Sequence, residues 1–253
     1  MSLFKETLDS ILCQEEKSFE VIVVNDGSSK EASDWLTQHV SKIESVRLIN
    51  QENTGPGTAR NNGVKKAQGD YIIFLDSDDL MTANCLSSFK SQIDLNQDKD
   101  VFIGDCEYFG GRNELKVQKE PAKPSILAYN SIIVSAAIKR SFLGEDIRFE
   151  PFLDRIGLED WEFWISCVEA NAKFHHISRS LFKIRVNQES RTYQTANNNK
   201  SIAIKFIYEK HAVSIQNEME GLIVNNRELR TSLNTRIGDL ILTPYRLVKK
   251  VFS

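Results

Sequence analysis

The sequence predicts an α/β fold built on a mostly parallel sheet, with a helical extension at its carboxyl end. Three observations lead there. Short, nearly continuous apolar runs alternate with segments of helical period through the first hundred residues. Two of these runs, 19–24 and 71–75, open directly into Asn25-Asp26-Gly27-Ser28-Ser29 and Asp76-Ser77-Asp78-Asp79. Beyond Phe182 the composition shifts towards Asn, Gln, Ser and Lys, and a long helical pattern resumes at Ser201.

In chain order, Leu8, Ile11 and Leu12 make residues 3–13 an amphipathic helix. Residues 19–24 form a strand of the buried parallel type, 31–43 a helix and 46–50 a second strand. Thr54-Gly55-Pro56-Gly57 breaks the chain before a helix over 58–67, which Gly69 ends. Tyr71 to Leu75 is the third strand, followed by a helix over 80–96 and a strand over 100–109. Residues 130–138 fit a strand or a short helix equally, because a short apolar run has no decisive period. Trp161, Trp164, Ile165 and Val168 share one face of a helix over 159–168, whose first turn holds Glu159 and Asp160. The expected division is a domain over 1–195 and a helical extension over 196–253, whose tail, 228–253, is basic and amphipathic.

Composition narrows the function classes. At 253 residues and 41% hydrophobic the chain can bury a core, which excludes wholesale disorder. Its 32 basic and 35 acidic residues are interspersed, so no global field recruits nucleic acid. The four cysteines are scattered without a C-x-x-C pair, against a zinc knuckle or disulfide framework and in keeping with a reducing cytoplasm. No stretch approaches the roughly 20 apolar residues of a membrane span.

The acidic strand ends carry the chemistry. Asp76-Ser77-Asp78-Asp79 offers hard oxygen ligands for a divalent cation, which a diphosphate needs to approach a carboxylate. The same residues would also serve as a helix N-cap with an acidic first turn before Leu80. Asp26 could accept a hydrogen bond from the ring N–H of a base, or could close an ordinary Asx turn. Two such ends in one parallel sheet converge on a common crevice. Glu159-Asp160 offers a carboxylate able to take a proton from a hydroxyl, or a helix cap. His175-His176 has no ligand partner at metal spacing and reads as structural.

Taken together, these elements resemble the family-2 glycosyltransferases, inverting enzymes of the GT-A fold, a nucleotide-sugar-binding α/β sandwich. The resemblance runs through 8–14, 19–28, 53–63 and 69–79 to Glu159-Asp160-Trp161, about three quarters of the chain. It implies that Asp26 contacts the nucleotide base, and that Asp76 and Asp78 form the D-x-D motif binding ribose and metal-diphosphate. Asp78 would be the more direct metal ligand, and Mn²⁺ or Mg²⁺ the cofactor. Asp160 matches the general base with Glu159 as its alternative, and Arg60 supports the donor pocket or pairs with an acid. Arg185 and Arg191 match a segment that closes over the diphosphate, or are solvated loop charges. The implied partners are a nucleoside-diphosphate sugar and a saccharide or lipid-linked acceptor. The implied setting is surface polysaccharide or glycolipid assembly, in the cytoplasm or at the inner membrane face. The tail would then lie on the membrane or mediate self-association.

One departure stands out. Family members begin with an apolar strand lying between those matched here by 19–25 and 71–75, and this sequence shows no such strand. Its absence would leave two rows of backbone groups unpaired, so a truncated beginning is expected, with another segment filling the gap or a relative of weakened donor binding as the alternatives. A non-catalytic sugar- or nucleotide-binding relative is the alternative from another class. A nucleotidyltransferase ranks third, since Thr54-Gly55-Pro56-Gly57 lacks a phosphate-binding lysine.

Overall fold

The computed structural model describes residues 2–186 and 199–224. Its helices are α1 (Ser2–Leu12), α2 (Lys30–His39), α3 (Pro56–Lys66), α4 (Cys85–Leu95), α5 (Lys123–Ala128), α6 (Glu159–Glu169) and α7 (Lys200–Lys210). The strands are β1 (Val21–Asp26), β2 (Val46–Gln51), β3 (Tyr71–Ile73), β4 (Leu80–Met81), β5 (Val101–Gly110), β6 (Glu114–Lys116), β7 (Ala137–Lys139) and β8 (Phe174–Val186). Compact units span Met1–Ile207 and Tyr208–Ser253; of the second, residues 208–224 are described, helical but for a break at His211. The basic tail over 228–253, Arg191 and the expected boundary at 195/196 lie outside the described residues.

The α/β expectation holds, with the strands divided between two sheets. β1 and β2 pair in parallel, and the other six strands run β3-β7-β5-β8-β4 with β6 beside β5. The two longest ladders, β1–β2 and β5–β8, are parallel, whereas the short strands β3, β4, β6 and β7 join antiparallel. The division falls where the absent strand was expected, because β1 and β3 belong to different sheets and are not paired. Val21 to Val24 and Tyr71 to Ile73 are accordingly half-buried, although their apolar runs read as fully buried strands.

The flanking layers hold the two sheets in place. On α1, Leu8 joins Leu36, Val40 and Val46 in a cluster that gathers Val21 and Val23, while Ile11 packs into the cluster around β5 and β8 that gathers Tyr71 and Ile73. At the start of both strands, Glu20 Oε1 accepts from the backbone N–H groups of Gln68 (2.6 Å) and Gly69 (3.0 Å). A buried Gln14 fastens the end of α1, donating to Thr82 O and accepting from Leu86 N.

Two expected elements are corrected. The helix placed over 80–96 begins at Cys85, because Leu80 and Met81 pair with Lys183 and Phe182 of β8 as strand β4. The acidic cluster is therefore not the cap of a helix starting at Leu80. Residues 130–138 are mostly irregular and end in β7. The 13-residue β8, whose apolar and polar residues follow no clean alternation, lies inside the larger sheet between β5 and β4.

Candidate active site

The acidic segment leaves the end of β3 as a turn fixed from two sides. From α1, the Thr7 hydroxyl donates to Ser77 O (3.0 Å). From β8, the Arg185 backbone N–H donates to Asp79 Oδ1 (2.8 Å) and its guanidinium to Asp78 O (3.0 Å) and Glu6 Oε2 (2.7 Å). Arg185, a candidate for closing over a diphosphate, thus braces the turn, and its guanidinium also lies over the Phe109 ring. Asp79 is buried, and burial, reinforced by Asp76 and Asp78, pushes its carboxyl up to about 8 against the Arg185 N–H. Burial and the neighbouring Asp76 charge also raise Asp78. No other residue donates a hydrogen bond to the Asp78 carboxylate among the described residues.

Arg60 draws distant segments together. Projecting from α3, it donates to Asp76 Oδ1 at 2.7 Å and to Glu159 Oε1 at 3.0 Å. Its side chain is 13% exposed, so neither contact is a screened surface pair on the arginine side. Burial opposes its charge, but Asp76 and Glu159 outweigh that and hold it more firmly protonated. Beneath it lies an aromatic stack, with Phe149 under the guanidinium and against Phe163 of α6 (ring centroids 4.3 Å). Phe74, two residues before Asp76, meets both rings edge-on. The same stack thus seats the acidic turn and α6.

At the start of α6, Gly157 and Leu158 take positive φ (88° and 68°), and the helix begins at Glu159. Asp160 Oδ2 accepts from Asn130 Nδ2 (2.8 Å) and Oδ1 from its neighbour Trp161 N (2.8 Å). Burial raises both carboxyls; Asp160 repels Glu159 further, and Arg60 opposes the rise in each.

Asp26 lies beside the start of α3 with its carboxylate engaged. Oδ1 accepts from Thr54 N (2.8 Å), Gln51 Nε2 (2.9 Å) and Thr54 Oγ1 (3.3 Å), and Oδ2 from Gly55 N (2.8 Å). Burial works upward, but these donors outweigh it and Asp26 titrates below its ordinary value. Its immediate role is to close the turn into α3.

Arg60, Asp76 and Glu159 are thus in direct contact and Asp160 adjoins them, while Asp78 sits beside Asp76 and Asp26 makes no bond to any of them. Among the described residues no three His, Cys, Asp or Glu side chains gather as a metal cage. Asp76 and Asp78 still suit a hard divalent cation: both offer carboxylate oxygen, they repel each other, and such ions often take one or two carboxylates plus phosphate oxygens. His175 bonds Gln92 and His176 bonds Asp105, the structural roles expected of them.

Two residues escaped the sequence. Asn130 lies in the stretch without a decisive period. Asp154 accepts from Gly57 N (2.5 Å), Thr58 N (3.1 Å) and Thr58 Oγ1 (2.5 Å), capping the helix that carries Arg60. Its place in the chain, far from α3, carries no local signal of that contact.

Known proteins resemble this chain in sequence and in fold. The profile of Glycosyl transferase family 2 matches residues 2–153. An uncharacterized glycosyltransferase of Rickettsia bellii is 30% identical over 200 residues, 76% of this chain and 28% of that protein. The poly(ribitol-phosphate) beta-glucosyltransferase of Bacillus spizizenii is 33% identical over 136 residues, 52% of this chain and 21% of the other. The chain thus spans under a third of the length of either relative. The crystal structure of S. aureus TarS 1-349 in complex with UDP-GlcNAc superposes with a TM-score of 0.69 at 23% identity, covering 85% of this chain and 63% of that one. That likeness establishes the GT-A type of α/β fold, and with the profile covering more than half its residues, the chain belongs to glycosyl transferase family 2.

Proposed function

We propose that the chain catalyses metal-dependent, inverting transfer of a sugar from a uridine-diphosphate sugar to a hydroxyl of a surface polymer or glycolipid precursor. The observation that carries it is the Arg60 guanidinium bonded to both Asp76 and Glu159, which joins the carboxylates suited to a metal-diphosphate to those suited to proton transfer. The uridine donor is proposed from the TarS complex, and a polyol-phosphate acceptor from the B. spizizenii relative.

In this scheme Asp78 and Asp76 would hold Mn²⁺ or Mg²⁺, which would supply positive charge to offset that growing on the diphosphate. Asp160 accepts the proton of the attacking hydroxyl, with Glu159 as the alternative base, and attack from the face opposite the diphosphate inverts the anomeric centre. Arg60 keeps the two sets of carboxylates in register and tempers their repulsion. Asp26 Oδ2 accepts a single N–H and retains capacity for the ring N–H of uracil.

A binding-only relative is the second reading, favoured by the engagement of Asp26 within its own turn. Release of UDP separates the two. The protein is incubated with a panel of UDP-sugars, poly(ribitol phosphate) and Mn²⁺ or Mg²⁺, and UDP is measured. Asp78→Ala should lower metal-dependent release about a hundredfold or more. Full turnover by that variant would refute the metal assignment, and wild-type protein that binds UDP-sugars without releasing UDP would establish the second reading.

A further inference from the structure

We infer that Asn130 is a two-sided residue of the acceptor site: its Nδ2 amino group fixes Asp160, and its Oδ1 receives a hydrogen bond from a hydroxyl of a polyhydroxylated acceptor. The inference rests on Asp160 being the base. Nδ2 donates to Asp160 Oδ2 at 2.8 Å, and that bond fixes the sense of the amide. The flipped amide would set its carbonyl oxygen against a carboxylate oxygen with no proton between them. Oδ1 therefore has one orientation, and there it is buried without a hydrogen-bond partner among the described residues.

A buried acceptor left unpaired is unfavourable, and folded proteins retain few of them. Ser131 Oγ, beside it in the chain, is likewise buried and unpaired. Ser135, Trp164 and Ser180 also hold such atoms, but none of these residues is bonded to a carboxylate of the site. A ligand rich in hydroxyls matches what this place lacks, since each hydroxyl can donate to Oδ1 and accept from a serine. As the acceptor oxygen bonds to the anomeric carbon, its proton passes to Asp160 and the carbon–oxygen bond to the diphosphate breaks, its electron pair leaving with UDP.

The charged groups facing Asp160 are Arg60 from α3, Asp76 from the acidic turn and Glu159 beside it on α6. Asn130 and Arg60 favour its ionised form, while burial and Asp76 oppose it. Without the Asn130 donor the carboxylate is less stable, so the acid limb of the transfer rate moves to higher pH.

The test compares the wild type with Asn130→Ala and Asn130→Asp, using UDP-GlcNAc, Mn²⁺ and poly(ribitol phosphate), with UDP affinity measured by calorimetry. Asn130→Ala should raise the acceptor KM about tenfold, the scale of one lost hydrogen bond, move the acid limb of kcat to higher pH and leave UDP affinity unchanged. Asn130→Asp keeps Oδ1 but sets a second oxygen against Asp160, so it should move the acid limb while keeping the acceptor KM near wild type. The inference is overturned if Asn130→Ala leaves both KM and the acid limb unmoved. It is also overturned if UDP affinity falls in step with transfer, which marks a purely structural residue. A wild type that releases no UDP from any UDP-sugar instead defeats the glycosyl-transfer reading, and this inference with it, before any variant is compared.

Discussion

At the residue scale, the site depends on a few polar contacts among segments far apart in the chain. Arg60 meets Asp76 and Glu159 with separate amino groups, and a lysine, a point charge on a flexible stem, cannot hold both in that geometry. Glu159 is 14% exposed and Asp76 48%, so losing the arginine strands mainly Glu159 as an uncompensated buried charge. Arg60→Ala should therefore reduce the free energy of unfolding by about 2–3 kcal/mol, measured by urea titration at neutral pH. A change below about 0.5 kcal/mol would place the pair in the class of screened surface bridges. Resemblance had left Arg60 between supporting a donor pocket and pairing with an acid; the contacts assign the pairing, and the pocket role remains with the proposed function.

At the element scale, β5 and β8 organise the larger sheet, and their parallel ladder shifts register on both sides of Asp105. The contact at Gly104 is close. A Cβ there would lie 2.5 Å from Leu181 Cδ1, 2.6 Å from Cγ and 3.0 Å from Cβ, and Leu181 is fully buried. Because the Leu181 Cβ is fixed by the backbone, a rotamer change cannot clear the overlap. Gly104→Ala should destabilise by about 1–3 kcal/mol, read as a lower denaturation midpoint with unchanged slope. Wild-type stability would show that the two strands separate freely. β8 itself also braces the acidic turn through Arg185, so strain at Gly104 is expected to reach the site as well as the core.

At the scale of the whole molecule, the sheet is divided between β1 and β3. α1 packs against both sides of the division, and Glu20 ties the strand beginnings. In β1 every second backbone N–H points towards β2 and the others away from it. The amides of β1 and β3 that face away from their partners should exchange with solvent deuterium at rates approaching an unprotected chain, whereas those of β5, paired on both edges, should be protected. Uniform protection across β1 would mean that another segment covers this edge.

Local pattern alone determined much of this protein. Apolar runs entering polar turns located β1, β2 and β3, and helical spacing located α2, α3 and α6, because those signals arise from residues adjacent in the chain. The ordered motifs determined the family, and with it Asp26, Asp76, Asp78, Glu159 and Asp160 as candidates. Tertiary structure decided what neighbours in sequence cannot specify. Leu80-Met81 is a strand because Phe182 and Lys183 lie beside it, and Asp154 caps α3 because the turn after Phe149 brings it there. Asn130 meets Asp160 because its extended segment passes the start of α6. Each of these depends on side chains or backbone groups that meet only once the chain has closed long loops, and the sequence-local signals of period and capping carry no record of such partners.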